Sequence, residues 1–546
     1  MPPGDTMNRT APSDMQTTKP EVPEIGPLTA GQASRNQNPL FSLPGRWPDI
    51  AVLLVPALFK LVLHLMTIRG YGLHGDELYY LACSDHLDWG YVDHPPLSVL
   101  ILKVFRLILG DSFFSIRLLS ALAGFATVLL TGLLARRMGA GRYGQLLASV
   151  CAIVAPLYLG LGHIFSVNAL DLLFWVAAFH VMLSILDGGS GRNWVWLGVI
   201  SGLGVQNKVS VLFLGFALVA GLALSSQRRL LLSRGPWLGG LVAGILVLPQ
   251  IAWEIANGWP TLEFIHNAQT RKNVALPLLD FIKEQIFQVN PLTFPVWAAG
   301  LFFLLFHSRM RSYRALGWCY LALLALFVTQ GGKPYYLGPV YSLLFAAGAV
   351  VTETAVLRSW LRASLLMLLL ASGTVLAPFV LPVLPVDGFI QYSQALGMKP
   401  SSGERFDEGA LPSYFANMFG WDKLAEVVHS VYQSLPPDDQ KRCAILGQNY
   451  MQAGAIDYYG RRLGLPHALA GHNSYWLWGF GNQSNEVMII IGGRREDIAK
   501  AFEEVEQKAV FRDPHIQPMH SNQPIFVVRK PKMSLAEIWP LIRFYI

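Results

Sequence analysis

The chain has 546 residues, of which 53% are hydrophobic and only 14% charged, with a formal net charge of +7. Soluble proteins carry about 25% charged residues, so this balance excludes an ordinary soluble enzyme and points to a polytopic membrane protein. The positive charge does not call for nucleic acid, because lysine and arginine collect in short loops between apolar runs, and the four cysteines, Cys83, Cys151, Cys319 and Cys443, show neither a metal-binding spacing nor a disulfide framework.

Residues 1–47 are rich in Pro, Thr, Gln, Asn and Ser and have no hydrophobic period, which predicts a disordered cytoplasmic tail. No cleavable signal peptide opens the chain, so the first apolar run, 50–68, is expected to serve as an uncleaved signal anchor. Lys60 and His64 inside it are expected to face other helices rather than lipid. The next stretch, YGLHGDELYYLACSDHLDWGYVDHPPL (71–97), gathers Asp76, Glu77, Asp85, Asp88 and Asp93 with His74, His86 and His94 between two apolar segments. Charge beside a bilayer is costly unless it faces water or lines a polar cavity, so this stretch is the first candidate for a functional site. The segment 96–109 is only about 14 residues long and carries Lys103 and Arg106, too short to span and better suited to an amphipathic helix in the interface.

Further spans are predicted near 113–135, 143–161, 167–186, 194–206, 209–225, 236–253, 291–306, 315–329, 336–351 and 363–381, about eleven with the first. Arg136, Arg137 and Arg142, then Arg228, Arg229 and Arg234, then Arg309, Arg311 and Arg314, then Arg358 and Arg362 fall on one side, which the positive-inside rule makes cytoplasmic. The loop of Asp76, the segment 256–290 and the carboxyl end then lie outside. Beyond 382 the composition becomes that of a soluble domain. CAILGQNY, EVMIIIGG and PIFVVRK read as buried strands, and helical patterns lie near 421–434, 451–463 and 495–508, which predicts a small α/β domain without a catalytic signature. Its GHNSYWLW stretch (471–478) is either a carbohydrate-stacking surface or packing against the membrane domain. The expected organisation is a tail at 1–47, a transmembrane domain at 48–381 with its catalytic outer loop at 69–112, and an extracytoplasmic α/β domain at 382–546.

GDELYYLACSDHLDWGYVDHPPL (75–97), FSVNALDLLFW (165–175), LGVQNKVS (203–210), NGWPTLEFIHNAQ (257–269), VNPL (289–292) and GGKPYYLGPVY (331–341), in this order, resemble the dolichyl-phosphate-mannose protein mannosyltransferase-like superfamily. The resemblance is to its bacterial members, such as the aminoarabinose and galacturonic acid transferases of lipid A, and runs from about residue 50 to the end. It implies a GT-C fold in the bacterial inner membrane and an inverting transfer of sugar from a polyprenyl phosphate to a lipid, glycan or protein acceptor on the periplasmic side. It also implies that the Asp-Glu pair heading the first outer loop carries the catalytic carboxylate, Asp76 first and Glu77 second. In the aminoarabinose branch an acidic residue and then lysine precede the Pro-Pro motif, whereas this chain has Asp93 and His94, which weakens any transfer of donor specificity.

Displacement at an anomeric carbon needs a base for the acceptor hydroxyl and positive charge for the departing phosphate. Asp76 offers the first. Lys208, Lys333, Arg271 and Lys272, all on the outer side, offer the second, or else they snorkel to lipid headgroups. Asp76 and Asp93 also read as helix N-caps. Asp93, His94, Asn168 and Asp171 are expected to line the cavity, with Asp171 alternatively an interhelical hydrogen-bonding residue. No cofactor is required by these motifs, although Asp93 and His266 could hold a divalent metal near the donor phosphate. The competing functions are a transporter or flippase of lipid-linked sugars, and a scaffold whose outer domain binds polysaccharide.

Overall fold

Apolar runs interrupted by Gly and Pro fold into helices whose lengths decide which of them can cross a membrane. The computed structural model describes residues 46–398 and 409–546, so the predicted tail lies outside the described residues except at its last two positions. In chain order the helices are α1 (Trp47–Thr67), α2 (Gly75–Asp85), α3 (Leu97–Leu109), α4 (Phe113–Arg137), α5 (Arg142–Val154), α6 (Pro156–His163), α7 (Val167–Leu186) and α8 (Arg192–Asn207). They continue with α9 (Val211–Ala223), α10 (Arg234–Ala256), α11 (Pro260–Asn267), α12 (Leu278–Gln288), α13 (Phe294–Phe306), α14 (Arg314–Thr329), α15 (Tyr341–Ala355) and α16 (Ser359–Leu376).

Among the described residues seven segments are long and apolar enough to span, namely α1, α4, α7, α10, Ser308–Thr329, Pro334–Ala355 and Ser359–Phe379, and two bent pairs raise the number to nine. By length and composition this is fewer than the about eleven expected. The predicted spans near 194–206 and 209–225 are helices of 16 and 13 residues joined at Lys208, where the chain turns extended. The predicted span near 143–161 is broken by 64° between α5 and α6, because Pro156 removes a backbone donor and forces Ala155 into extended geometry.

Glycines let the helices meet backbone to backbone. A side chain on Gly348 of α15 would overlap the Val296 carbonyl of α13, and one on Gly198 of α8 would overlap Gly239 of α10. Lys60 and His64 are buried, as expected, with the Lys60 ammonium donating to the Tyr158 carbonyl at 2.9 Å. The short helix α3 leaves Leu100, Val104, Leu107 and Ile108 exposed along one side while Val99 and Leu102 are buried, so it has the two faces an interfacial helix needs.

The carboxy-terminal part is a five-stranded sheet in the order β2-β1-β3-β5-β4, with β1 at Cys443–Gly447, β2 at Ala468–Ala470, β3 at Val487–Ile491, β4 at Phe502–Phe511 and β5 at Gln523–Pro531. β1 runs parallel to β2 and β3, and β5 is antiparallel to both β3 and β4. The helical pattern expected near 495–508 is only partly realised, since the helix ends at Ala501 and residues 502–511 form the edge strand β4. Its sequence, FEEVEQKAVF, pairs with β5 alone and keeps its Glu and Lys side chains in solvent, as charged edge strands do. The domain does not stand apart from the helices: the described residues, 46–398 and 409–546, fall in one compact unit, and the helix Tyr450–Tyr458 lies directly on α2. A side chain on Gly75 would meet the Met451 sulfur at 2.6 Å, and one on Gly454 would press on the Leu78 backbone at 3.0 Å.

Candidate active site

The first turn of α2 sets the two leading carboxylates in opposite environments. His74 is the N-cap: its Nδ1 accepts the Asp76 amide at 3.1 Å, and the Glu77 carboxylate accepts the His74 amide at 2.8 Å. Asp76 is therefore the second residue of the helix rather than its cap, where a negative charge still gains from the helix dipole. Its side chain remains 41% exposed. Tyr450, from the carboxy-terminal domain, donates its hydroxyl to Asp76 Oδ1 at 3.0 Å. His74 Nδ1 lies 3.7 Å from Asp76 Oδ2, but this nitrogen already accepts a proton from the amide and has none to give. Among the described residues no donor reaches Oδ2.

Glu77 is fully buried. Arg117 grips it with two bonds, Nε to Oε1 at 2.9 Å and a terminal nitrogen to Oε2 at 2.7 Å, and the Phe165 amide adds a third at 2.8 Å. Arg117 in turn donates to the carbonyls of Ile68 and Gly72. For Glu77, the expected second choice of base, every oxygen is thus committed and no solvent reaches it. It ties α2 to α4 and to the start of α7 instead.

Asp93 is not a cap either, since α3 begins from Pro96 without a side-chain cap. Its Oδ1 accepts the Tyr79 hydroxyl at 2.9 Å. Burial pushes its carboxyl up from the ordinary range and the charge of Asp76 adds to that, against the lowering effect of His94 and Tyr79. His94 is buried in a cage of Tyr79, Tyr80 and Tyr91, with ring centroids 4.8 to 5.8 Å away, and its Nδ1 lies 3.1 Å from the Pro95 carbonyl.

A second cluster collects the motifs further along the chain. Asp171 is buried and saturated: Trp175 donates to Oδ1 at 3.0 Å, while Ser210 at 3.1 Å and Lys208 at 3.3 Å reach Oδ2. Of the two readings of Asp171, this geometry is that of a hydrogen-bonding residue between helices. The Lys208 ammonium also lies over the rings of Tyr335 and Tyr336 at 5.4 and 5.3 Å, which brings VQNK and GGKPYY together. Lys333 is half-buried at the start of that second segment. Asn207 joins this cluster to the first, accepting a bond from Ser98 of α3 and donating to the Val167 carbonyl at 2.8 Å. Asn168, in the first turn of α7, keeps a buried amide oxygen without a partner among the described residues.

Arg271 is exposed, and Lys272 half-buried, in a single π-helical turn after α11. That turn is fastened to the carboxy-terminal domain by Asn267, which donates to the Tyr545 carbonyl at 2.8 Å. His266 is exposed on α11. Among the described residues no group of three or more His, Cys, Asp or Glu side chains converges as a metal site would require, so the suggested pair of Asp93 and His266 has no further ligands to complete it. A cavity of about 360 Å³ opens on the other face of α2, lined by Leu81, Asp85, Arg106, Tyr458, Arg461 and Arg462 among others, and Asp76 does not line it.

GHNSYWLW is packing rather than an open sugar platform: Ser474 and Tyr475 are buried, and Trp478 stacks on His86 at 4.3 Å. Sequence reasoning missed Tyr450 and Ser474, which meet Asp76 and Tyr79. A topological signal was available. Tyr450 follows β1 and the 471–474 turn follows β2, so both sit past the carboxyl ends of adjacent parallel strands, where open α/β sheets carry their sites.

Residues 93–253 match the family model described as dolichyl-phosphate-mannose-protein mannosyltransferase, a stretch that includes Asp93, His94, Asn168, Asp171 and Lys208. Among solved structures the chain is similar to ArnT from Cupriavidus metallidurans in the apo state, with a TM-score of 0.56, 16% identity, and coverage of 87% of this chain and 97% of that one. The same protein bound to undecaprenyl phosphate gives 0.55 at 15% identity with the same coverage. The Archaeoglobus fulgidus oligosaccharyltransferase tethered with an acceptor peptide gives 0.50 at 14% identity, over 78% of this chain and 64% of that chain. No curated protein sequence matches the chain. At these identities the likeness is one of fold: a helical membrane protein of GT-C type with a small carboxy-terminal α/β domain.

Proposed function

We propose that this GT-C membrane protein is a glycosyltransferase that moves a sugar from a polyprenyl-phosphate donor to an acceptor outside the cytoplasm, with inversion at the anomeric carbon and Asp76 as the base. The observation that carries the reading is the state of Asp76: one oxygen held by Tyr450, the other open, on a partly exposed side chain at a helix start. In the reaction the acceptor oxygen attacks the anomeric carbon and its proton passes to Asp76 Oδ2, while the bond from that carbon to the phosphate oxygen breaks. The polyprenyl phosphate leaves with the bonding pair, and cationic side chains stabilise the charge it gains.

Lys208 and Lys333 are the proposed phosphate ligands, with Arg271 and Lys272 as further candidates, and Asn168 is proposed to line the approach. The similarity to ArnT, a protein whose structure is known with undecaprenyl phosphate bound, supports a donor of this chemical class, and the matching family model supports transfer of a sugar. The acceptor is a lipid, glycan or protein hydroxyl. We place the protein in a bacterial inner membrane with Asp76 and the sheet domain on the periplasmic side, from the distribution of arginines between helices. Reporter fusions after Ser233 and after Pro385 should then give opposite signals; equal signals would overturn this orientation.

The test of the reaction is to incubate the purified protein with a panel of polyprenyl-phosphate sugars and an envelope extract, and to follow release of the free lipid phosphate. Release that depends on the protein and is lost in Asp76→Asn is the expected result. Movement of intact donor across a vesicle membrane without release would favour a transporter.

A further inference from the structure

The carboxy-terminal domain reaches the first two turns of α2 with two hydroxyls, and both are held in place by further hydrogen bonds. Tyr450 is the first residue of its helix, whose start is capped by Asn449 through bonds of 3.0 Å to the amides of Met451 and Gln452. Its own amide donates to His472 Nδ1 at 3.3 Å, and its ring lies 4.6 Å from the His472 ring and 4.5 Å from that of Tyr79. His472 is held from the far side by the Ile546 carbonyl, 3.0 Å from Nε2. The second hydroxyl is that of Ser474, 2.8 Å from the Tyr79 hydroxyl and accepting the Val92 amide at 3.1 Å. Tyr79 passes this contact on to Asp93 at 2.9 Å. Burial, reinforced by the charge of Asp76, pushes the Tyr450 phenol well above its ordinary range, so its hydroxyl stays protonated and donates.

A carboxylate on a partly exposed side chain turns freely about its last torsion unless one oxygen is fixed. With Oδ1 tied to Tyr450, Oδ2 is the oxygen left without a donor, and its direction is set by the docked domain. We propose that Tyr450 is a positioning residue for sugar transfer, acting through Asp76, so that the carboxy-terminal domain completes the catalytic site instead of being an appendage to it. The proposal rests on Asp76 being the base. Misplacing a reacting group by about 1 Å can cost roughly a hundredfold in rate, which bounds the effect to be expected.

The experiment uses the full chain with Tyr450→Phe, Asp76→Asn and the double variant, measuring turnover, the donor KM and thermal unfolding. Tyr450→Phe keeps the ring against Tyr79 and removes one oxygen. It should lower kcat by roughly tenfold to a hundredfold with the donor KM within about twofold. In the Asp76→Asn background the same change should cost nothing further, because the residue it acts through is already gone. Tyr450→Leu, which also removes the ring, should lose kcat to the same extent as Tyr450→Phe if the hydroxyl carries the effect. Parental kcat in Tyr450→Phe, or losses that multiply in the double variant, would overturn the proposal while leaving Asp76 as base. Parental turnover in Asp76→Asn would remove the base assignment and this proposal together.

Discussion

Two acidic clusters stand in an otherwise apolar setting, and they differ in whether their hydrogen bonds are complete. Around Asp171 every oxygen is taken, by Trp175, Ser210 and Lys208, and the side chain is 3% exposed. Around Asp76 one oxygen is taken, the other has no donor among the described residues, and the side chain is 41% exposed. The same contrast recurs between neighbours in the chain, where Glu77 is closed on Arg117 and Asp76 is not. A carboxylate near a membrane is thus informative only once its donors are counted: a saturated one holds helices together, and an unsaturated one is kept for something that arrives from outside.

The strongest way to break this contrast is Asp76→Asn. The amide has nearly the same shape and can still meet Tyr450, but it cannot take a proton, so turnover at saturating donor should fall roughly a hundredfold to ten-thousandfold with little change in thermal stability. Turnover near the parental rate would sink the assignment. Glu77→Gln should do the reverse. It leaves Arg117 buried without a counter-charge, and breaking such a pair costs about 3 to 5 kcal/mol, so the variant should melt well below the parent or fail to accumulate. A Glu77→Gln protein that folds normally and loses only turnover would restore Glu77 as a candidate base.

Much of this contrast was legible in the sequence, and the part that was not has a physical cause. The acidic stretch before α3 and the lysines of VQNK and GGKPYY announce themselves, because charge is rare in this chain. Whether Asp76 or Glu77 is the open one was not legible, since the choice depends on Arg117, forty positions away on α4. Tyr450 was hidden for a similar reason: a tyrosine in a strand-to-helix turn has no local pattern, and its meeting with Asp76 spans 374 positions. The edge strand β4 was misread as helix because FEEVEQKAVF is rich in helix-forming Glu and Lys, and only its pairing with β5 makes it a strand.

The open cluster should also be the more acid-sensitive one. Behind Tyr450, His472 is held down to about 4 by burial first, relieved in part by its bond to the Ile546 carbonyl and deepened by Lys272; Asp76 opposes that lowering. Burial likewise holds His520 down to about 4. Both are neutral when folded, whereas in the unfolded chain each takes up a proton below its ordinary 6.5. Their contribution is therefore complete above about pH 6.5 and is lost as pH falls through about 4, by on the order of 3 kcal/mol for each. Protonating His472 Nδ1 also removes the acceptor of the Tyr450 amide. Melting temperature measured from pH 7 to pH 4 should fall steadily, and His472→Gln should flatten the slope. An unchanged slope would show that His472 is protonated without cost.

The closed cluster provides the smallest and most selective test. Lys208 lies between Asp171 and two tyrosine rings, so its charge is already partly answered, and it contributes to donor binding only by what remains for a phosphate. A hydrogen bond from a charged donor is worth about 1.5 to 3 kcal/mol, so Lys208→Met should weaken binding of a polyprenyl phosphate roughly tenfold to a hundredfold. Methionine keeps the stem against the tyrosines and Asp171 retains Trp175 and Ser210, but the buried carboxylate loses its counter-charge, so the variant should also melt below the parent and binding is compared on the folded protein. Asp171→Asn separates the two roles of the lysine: it frees Lys208 from its counter-charge while keeping an oxygen to accept the Trp175 indole, and should leave phosphate affinity equal to the parent or higher. If Lys208→Met binds donor as tightly as the parent while Asp171→Asn loses stability, then Lys208 serves only to neutralise Asp171, and the phosphate is held at the Lys333 side or by the arginine and lysine after α11.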